Sequence, residues 1–280
     1  MNKSQTARRA EAAVDPLWKS IRDEVETAAS QEPALASFLH ASVLNHRTLE
    51  DALAFQLAAK LESSVLPAMV IRELITEAVD GDLQIGKSMR ADIRAVRERD
   101  PAATSYSEPF LYFKGFQALQ AYRVAHYLWE HGRKALALYL QSRTSEVFGV
   151  DIHPASRVGK GILIDHATSV VVGETAVIED NVSMLHEVTL GGTGKATGDR
   201  HPKVRHGVLI GAGAKILGNV EIGVGAKIGA GSVVLEDVAP HCTVVGVPAE
   251  PVGDCRDEEP SREMDHRIRP PTDSGPEDEN

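Results

Sequence analysis

The sequence predicts an α+β protein in which an all-helical N-terminal domain, residues 1–148, is followed by a parallel β-helix, residues 149–253. Aromatic residues mark the division, because all 13 of them lie in the first range and none follows Phe148. Glycine has the opposite distribution, with 18 of 23 in the second range. A core without aromatic side chains must be narrow and regular. The second range also repeats every six residues, which is typical of a parallel β-helix.

Caps and prolines predict the helices of the first domain. A capping residue before proline, or Ser/Thr three positions before an acidic residue, is typical of a helix start. The predicted starts are Asp15-Pro16, Pro33, Thr48 with Asp51, and Pro67. Asp80-Gly81 predicts the end of the fourth helix. One long helical stretch is expected from about Pro109 to Val147, with its aromatic side chains in the core or at a subunit interface.

Fourteen branched or long apolar residues keep the six-residue spacing of the second domain. They are Ile152, Val158, Ile164 and Val170, then, after a two-residue offset, Val172, Ile178, Met184 and Leu190, and finally Val204, Ile210, Ile216, Ile222, Ile228 and Val234. Each hexad predicts one short strand and one tight turn, so that three hexads close a triangular coil with the apolar side chain inside. Glycine is needed at turns with positive φ.

A polar segment interrupts the repeat between Leu190 and Val204. These two residues are 14 positions apart, although a multiple of six is expected. The glycine-rich segment between them must therefore leave the coil as a loop, and it carries arginine, histidine and two lysines. Loops that leave a rigid scaffold often hold functional sites.

Charge and composition exclude several classes of protein. The net charge of −10 does not suggest a basic surface for binding nucleic acid. The sequence contains no run of about 20 apolar residues, so no membrane-spanning helix is predicted. The two cysteines exclude a disulfide framework, and no secretory signal is recognised, so a cytoplasmic location is expected. Residues 254–280 carry ten acidic residues against four arginines and are expected to form a disordered acidic tail.

Five segments resemble the serine O-acetyltransferase family of cysteine biosynthesis. They are Asp151-Ile152-His153-Pro154, Asp165-His166-Ala167-Thr168, Val172-Gly173-Glu174-Thr175-Ala176, the run 191–203, and residues 107–123, which resemble the family's linker helix. The resemblance covers roughly residues 15–253. It implies a left-handed β-helix, assembly as a trimer or a dimer of trimers, and transfer of acetyl from acetyl-CoA to the hydroxyl of L-serine.

The resemblance also implies roles for individual residues. Those with catalytic roles are His166, Asp151 and His201, and those that bind serine are Asp100, Asp165 and Arg200. A histidine titrates near neutral pH and suits the role of general base, which the resemblance gives to His166. Asp151 would hold its tautomer, while His201 would contact the substrate from the loop. Arg200 would bind the serine carboxylate, and the two other aspartates its ammonium group.

Acetyl-CoA is implied as a co-substrate, with no permanently bound cofactor and no metal. The resemblance implies direct transfer in a ternary complex, and the positions of the two cysteines, outside the matching motifs, agree with this. The residues assigned to acetyl-CoA are Gly192, Thr193, Ala212, Lys227 and Ala230. They would line a groove between neighbouring β-helices.

Two further partners follow from the resemblance. L-cysteine is expected to occupy the serine site as a feedback inhibitor. In the family, a C-terminal isoleucine enters the active site of O-acetylserine sulfhydrylase. This sequence ends in Asn280, so that complex is not expected.

Three alternatives stay open at this point. A hexapeptide acetyltransferase could act on another acceptor, such as a sugar or homoserine. A zinc enzyme similar to γ-type carbonic anhydrases could use His166 with His186, or His201 with His206, since imidazole is a common zinc ligand. A non-catalytic scaffold would use both domains for assembly alone.

Overall fold

The computed structural model describes residues 15–195, 197–254 and 257–268. The helices of the described residues are α1 (Pro16–Gln31), α2 (Ala36–Leu39), α3 (Leu49–Leu61), α4 (Ala68–Gly81), α5 (Leu83–Arg99), α6 (Ser107–Tyr112), α7 (Lys114–Glu130), α8 (Lys134–Phe148) and α9 (Pro260–Glu263). A 3₁₀ turn, Pro33–Leu35, and a π-helical turn, His40–Leu44, flank α2. The predicted order of a helical region and a parallel β-helix is confirmed.

The predicted caps explain where two helices begin. Asp15 accepts hydrogen bonds from the backbone N–H groups of Leu17 and Trp18, and Thr48 Oγ1 accepts one from Asp51 N at 3.1 Å. The long helix expected over 109–147 is wrong in its continuity, because three helices occupy this stretch. Phe113 is extended between α6 and α7, and Gly132 has a φ of +77° between α7 and α8.

Fifteen strands follow among the described residues. They are β1 (Val150–Ile152), β2 (Arg157–Val158), β3 (Leu163–Ile164), β4 (Val170–Val172), β5 (Val177–Ile178), β6 (Ser183–Met184), β7 (Thr189–Gly191), β8 (Lys203–Val204), β9 (Leu209–Ile210), β10 (Lys215–Leu217), β11 (Glu221–Ile222), β12 (Lys227–Ile228), β13 (Val233–Val234), β14 (Cys242–Gly246) and β15 (Ala249–Asp254). Up to β13, every third strand pairs in parallel, and the three sheets are ordered β1-β4-β7-β10-β13, β11-β8-β5-β2 and β15-β14-β12-β9-β6-β3. In the third sheet β14 pairs in parallel with β12, and β15 pairs antiparallel with β14 at the sheet edge. Thirteen of the fourteen hexad residues are buried, and Val158 is partly buried.

Strand register locates two insertions in an 18-residue coil. Val172 pairs with Leu190, 18 positions on, whereas Val150 pairs with Val170, 20 positions on. Leu190 pairs with Ile216, 26 positions on. The first insertion thus adds two residues before β4, and the second adds eight between β7 and β8. Both insertions leave the regular coil and hold residues of the candidate site.

Residues 257–268 differ from the predicted disordered tail. Helix α9 packs on α5, β6 and β9, and Pro260 and Ser261 are buried. The Ser261 carbonyl accepts a hydrogen bond from Ser183 Oγ at 2.8 Å. The acidic composition of the tail does not predict this docking, in which Pro260 and Ser261 are buried and Met264 packs against Val96, Ala103 and Leu163. Residues 269–280 lie outside the described part of the chain.

Candidate active site

Four of the six predicted catalytic and serine-binding residues lie at two corners of the β-helix or in the loop that folds over the second corner. Strand β4 joins the two corners. The first corner, residues 165–169, precedes β4, and the second corner, residues 173–176, follows it. The loop inserted after β7 folds back over the second corner. The first corner therefore contains one insertion of the coil, and the loop of the other insertion covers the second corner.

The first corner presents His166 to solvent. Its side chain is 73% exposed, and Nε2 lies 3.7 Å from Oδ2 of Asp165. The His186 ring, one coil further on, lies edge-on to it with centroids 5.9 Å apart. The φ of His166 is +54°, and Ala167 beside it has a φ of +60°, so both residues of this lengthened turn take the left-handed conformation. An exposed imidazole beside a carboxylate can accept a proton from a bound hydroxyl group.

The second corner fixes the orientation of His201. Its Nδ1 accepts a hydrogen bond from the backbone N–H of Thr175 at 3.2 Å. A neutral imidazole whose Nδ1 is an acceptor carries its proton on Nε2. The ring lies over Gly173, where an added Cβ would be 2.0 Å from His201 Cδ2. Burial lowers the pKa of His201, and the Arg200 guanidinium lowers it further, so the ring is held neutral with Nε2 as a donor.

Arg200 is already paired in the described chain. Its Nη2 lies 2.6 Å from Oε2 of Glu174, and its Nη1 donates to the carbonyl of Gly198 at 3.1 Å. The hydrogen bond from Arg200 is the largest cause that lowers the pKa of Glu174. A guanidinium has five N–H donors, so this pairing leaves donors for a substrate carboxylate.

The structure does not bring His166 and His201 together within one chain. The three residues of β4 separate the two corners, and a three-residue strand spans about 10 Å. Asp151 lies on β1, where its Oδ1 accepts from Gln141 Nε2 at 2.6 Å; within the described ranges no hydrogen bond joins it to His166. Asp100 ends α5, and its Oδ1 accepts from Ala102 N at 2.8 Å.

The residues assigned to acetyl-CoA separate into three places. Ala212 and Ala230 lie one above the other on successive coils below His186, as the bonds from Gly213 N to the His186 carbonyl and from Gly231 N to the Ala212 carbonyl show. Gly192 and Thr193 are exposed at the start of the inserted loop. Lys227 is only 6% exposed, and its Nζ donates to the carbonyl of Arg267. Residues 257–268 therefore cover this predicted contact.

Sequence reasoning missed the partners of the site. Thr175 and Glu174 lie at the second corner and contact His201 and Arg200, while Gln141 on α8 contacts Asp151. His186 lies against His166 from one coil further on, a pair that the sequence suggested only as zinc ligands. Two signals were available: the two-residue offset of the hexads, and the placement of the Gly173–Ala176 motif one strand after His166. Among the described residues no cluster of three or more His, Cys, Asp or Glu could hold a metal ion, and no helix has the length and apolarity to cross a bilayer.

The titration of histidines predicts how stability depends on pH. Burial is the largest cause that lowers the pKa values of His46, His153, His201 and His266. The unfolded chain then binds more protons than the folded chain just below about pH 6.5, the ordinary histidine pKa. The stability is fully present above that pH and is lost as the pH falls. We expect the melting temperature to drop between about pH 6.5 and 5, with a shallower slope in the His201→Gln protein, measured by calorimetry.

The comparisons with known proteins agree over both domains. The family model "Serine acetyltransferase, N-terminal" matches residues 17–121, and the model "Bacterial transferase hexapeptide (six repeats)" matches residues 201–236. The serine acetyltransferase of Salmonella typhimurium is 59% identical over 252 residues, which are 90% of this chain and 92% of that protein.

Solved structures of similar proteins contain ligands. A structure titled as serine acetyltransferase in complex with cysteine has a TM-score of 0.89 and 53% identity, and the match covers 90% of this chain and 98% of that one. The Brucella abortus serine acetyltransferase in complex with coenzyme A has a TM-score of 0.85 and 52% identity, over 86% of this chain and 97% of that one.

Proposed function

This chain belongs to the serine acetyltransferase family, and we propose that it transfers the acetyl group of acetyl-CoA to the hydroxyl oxygen of L-serine. The products are O-acetyl-L-serine and free CoA, the first step of cysteine formation from serine. The observation that carries the mechanism is the exposed imidazole of His166 beside the carboxylate of Asp165 at the first corner.

In the reaction, the imidazole of His166 takes the proton of the serine hydroxyl group while the serine oxygen forms a bond to the thioester carbonyl carbon. The tetrahedral adduct then collapses, the carbon–sulfur bond breaks, and the CoA thiolate receives the proton. Asp151, whose Oδ1 accepts from Gln141 Nε2 in the described chain, would orient the imidazole through Oδ2. Asp100 and Asp165 bind the serine ammonium group, Arg200 binds its carboxylate, and His201 donates a hydrogen bond from Nε2.

The separation of the two corners supports a site that forms between two copies of this chain. One copy would supply His166 from its first corner, and the neighbour would supply Arg200 and His201 from the loop over its second corner. A closed ring of identical copies repeats this heterologous contact at every interface. Acetyl-CoA would then lie along the column below His186, on Ala212 and Ala230, with Gly192 and Thr193 beside it. Lys227 becomes available only if residues 257–268 move.

Thiol release tests the proposed reaction. Purified protein with acetyl-CoA is expected to release CoA with L-serine, and at background rate with L-homoserine, an amino sugar or no acceptor. Mass spectrometry should find O-acetyl-L-serine in the first reaction alone. Release with another acceptor would show that L-serine is not the specific substrate, while the protein would still be an acetyltransferase. Serine acetyltransferase relatives do not favour the zinc enzyme or the scaffold, and stoichiometric zinc in purified protein would contradict the present assignment.

L-cysteine is expected to inhibit by occupying the serine site. It carries the same ammonium and carboxylate groups, so Asp100, Asp165 and Arg200 can bind it equally, while its thiol replaces the hydroxyl group. A related structure holds cysteine. Initial rates should show that micromolar-range cysteine raises the apparent KM for serine and leaves kcat unchanged. A fall in kcat at saturating serine would place cysteine elsewhere.

Two predictions from the sequence stay predictions. A cytoplasmic location follows from composition alone. The absence of a complex with O-acetylserine sulfhydrylase depends on Asn280, which lies outside the described residues.

A further inference from the structure

The backbone of the first corner needs support from outside. His166, Ala167 and Ser169 have φ values of +54°, +60° and +62°, a region that non-glycine residues rarely adopt. Such a conformation persists only where the surrounding structure holds it. The His166 ring is mostly exposed and supplies little packing of its own. Two bonds lie within the turn, from Ala167 N to the Asp165 carbonyl at 2.6 Å and from Thr168 N to the His166 carbonyl at 2.8 Å, and further support comes from what touches its backbone.

The beginning of α7 lies directly against this turn. At Gly115, an added Cβ would be 2.0 Å from the carbonyl oxygen of Ile164 and 3.1 Å from Cβ of Ala167. The first of these atoms belongs to the backbone that leads into His166 and cannot rotate away as a side chain would. Ala167 is fully buried at this contact. Only glycine permits the helix to approach the turn so closely.

A hydrogen bond from the same helix turn holds the other side of the corner. Lys114 Nζ donates to Thr168 Oγ1 at 2.5 Å, and the carbonyl of Thr168 accepts from the backbone N–H of Glu187 at 2.7 Å. The helix thus contacts the turn on both sides of His166: at Ile164, which precedes it, and at Ala167 and Thr168, which follow it.

Helix α7 is itself fixed to the first coil of the β-helix. Tyr122 Oη donates to the carbonyl of Ser156 at 2.5 Å, and Arg123 Nη2 donates to the carbonyl of Gly159 at 2.7 Å. These bonds lie further along the helix, so its first turn cannot slide away from the corner without breaking them.

We propose that Gly115 and Lys114 are positioning residues that hold His166 in place, so that the helical domain sets the geometry of the catalytic base. The proposal rests on the assignment of His166 as the base. Neither residue touches serine or acetyl-CoA in this scheme. Their contribution is to fix the position of the backbone turn that carries His166. This matters for catalysis because a misplacement of about 1 Å costs on the order of 100-fold in rate.

A pair of substitutions at Thr168 tests the hydrogen bond. Thr168→Val removes the acceptor and keeps the branched shape, whereas Thr168→Ser keeps the hydroxyl group. We expect Thr168→Val and Lys114→Met each to lower kcat about tenfold. The double variant should show no further loss, because both substitutions remove the same hydrogen bond. Thr168→Ser should retain near-normal kcat. The KM for acetyl-CoA and the melting temperature should stay unchanged. Lys19→Met is the control, since Lys19 forms an exposed pair with Asp23 in the same domain and should have no effect.

Gly115→Ala tests the close approach, with an expected loss in kcat of about 100-fold. Amide hydrogen exchange of peptides that span residues 163–171 should accelerate in Gly115→Ala and Thr168→Val and stay normal in Thr168→Ser. Normal kcat and normal exchange in a folded Thr168→Val or Gly115→Ala protein would overturn the proposal. If the wild type shows no serine-dependent release, or His166→Ala keeps it, the proposed function fails instead. The exchange measurement distinguishes the two cases because it needs no activity.

Discussion

Replacing His166 by alanine is expected to lower kcat by about 10²–10⁴-fold, the usual contribution of a positioned general base. The serine hydroxyl group would then have to attack the thioester without a partner for its proton. Binding should change little, because the contacts to the serine ammonium and carboxylate groups are assigned to Asp100, Asp165 and Arg200 in the proposed mechanism. Steady-state rates of thiol release and calorimetric titration with L-serine measure the two effects separately.

The matched control for this variant is His131→Ala. His131 is exposed at the end of α7, where its Nδ1 contacts the carbonyl of Tyr127. It should retain normal kcat. If His166→Ala kept more than about a tenth of the wild-type rate, a general base of this strength would have to be sought elsewhere.

Oligomers that mix two inactive variants test whether the site forms within one chain or between two chains. His201→Ala should also be nearly inactive, because it removes a buried donor fixed by Thr175. Co-expression of His166→Ala with His201→Ala should restore about a quarter of the wild-type activity if each site takes the two histidines from different chains in a random ring. A site within one chain would give no restoration, because every chain lacks one histidine.

Six-residue periodicity predicted the β-helix because its cause is local and repeated. Each coil needs an inward apolar side chain at the same place, and residues such as Ile210, Ile216 and Ile222 are fully buried as that pattern requires. Helix starts at Asp15 and Thr48 were predictable for the same reason, since a cap is a contact within a few residues.

The arrangement of the site was less predictable because it depends on contacts distant in sequence. The motifs predict roles for His166 and His201, but periodicity does not show that β4 separates their corners. Burial of Lys227 follows from the docking of residues 257–268, whose acidic composition predicts mobility. The breaks at Phe113 and Gly132 interrupt a stretch whose apolar spacing continues on both sides.

A buried ion pair joins the helical domain to the β-helix. Asp92 on α5 is fully buried, and its Oδ2 accepts from Arg123 Nη2 on α7 at 2.7 Å and from Gln120 Nε2 at 3.0 Å. Its Oδ1 accepts from the backbone N–H of Ile162 at 3.0 Å. Arg123 also donates to the carbonyl of Gly159 in the first coil. One carboxylate therefore connects two helices to the start of the β-helix.

Asp92→Ala is expected to reduce the free energy of unfolding by about 3–5 kcal/mol, because it leaves the Arg123 guanidinium buried without its counter-charge. Thermal unfolding at one protein concentration should show a melting temperature lower by at least about 6 °C. The double variant Asp92→Leu/Arg123→Met should recover most of the loss, since apolar residues of similar volume often replace a buried pair without cost. Lys19→Ala, which breaks the exposed pair with Asp23, should cost less than about 1 kcal/mol. Equal melting temperatures for Asp92→Ala and Lys19→Ala would show that this ion pair does not stabilise the contact between the two domains.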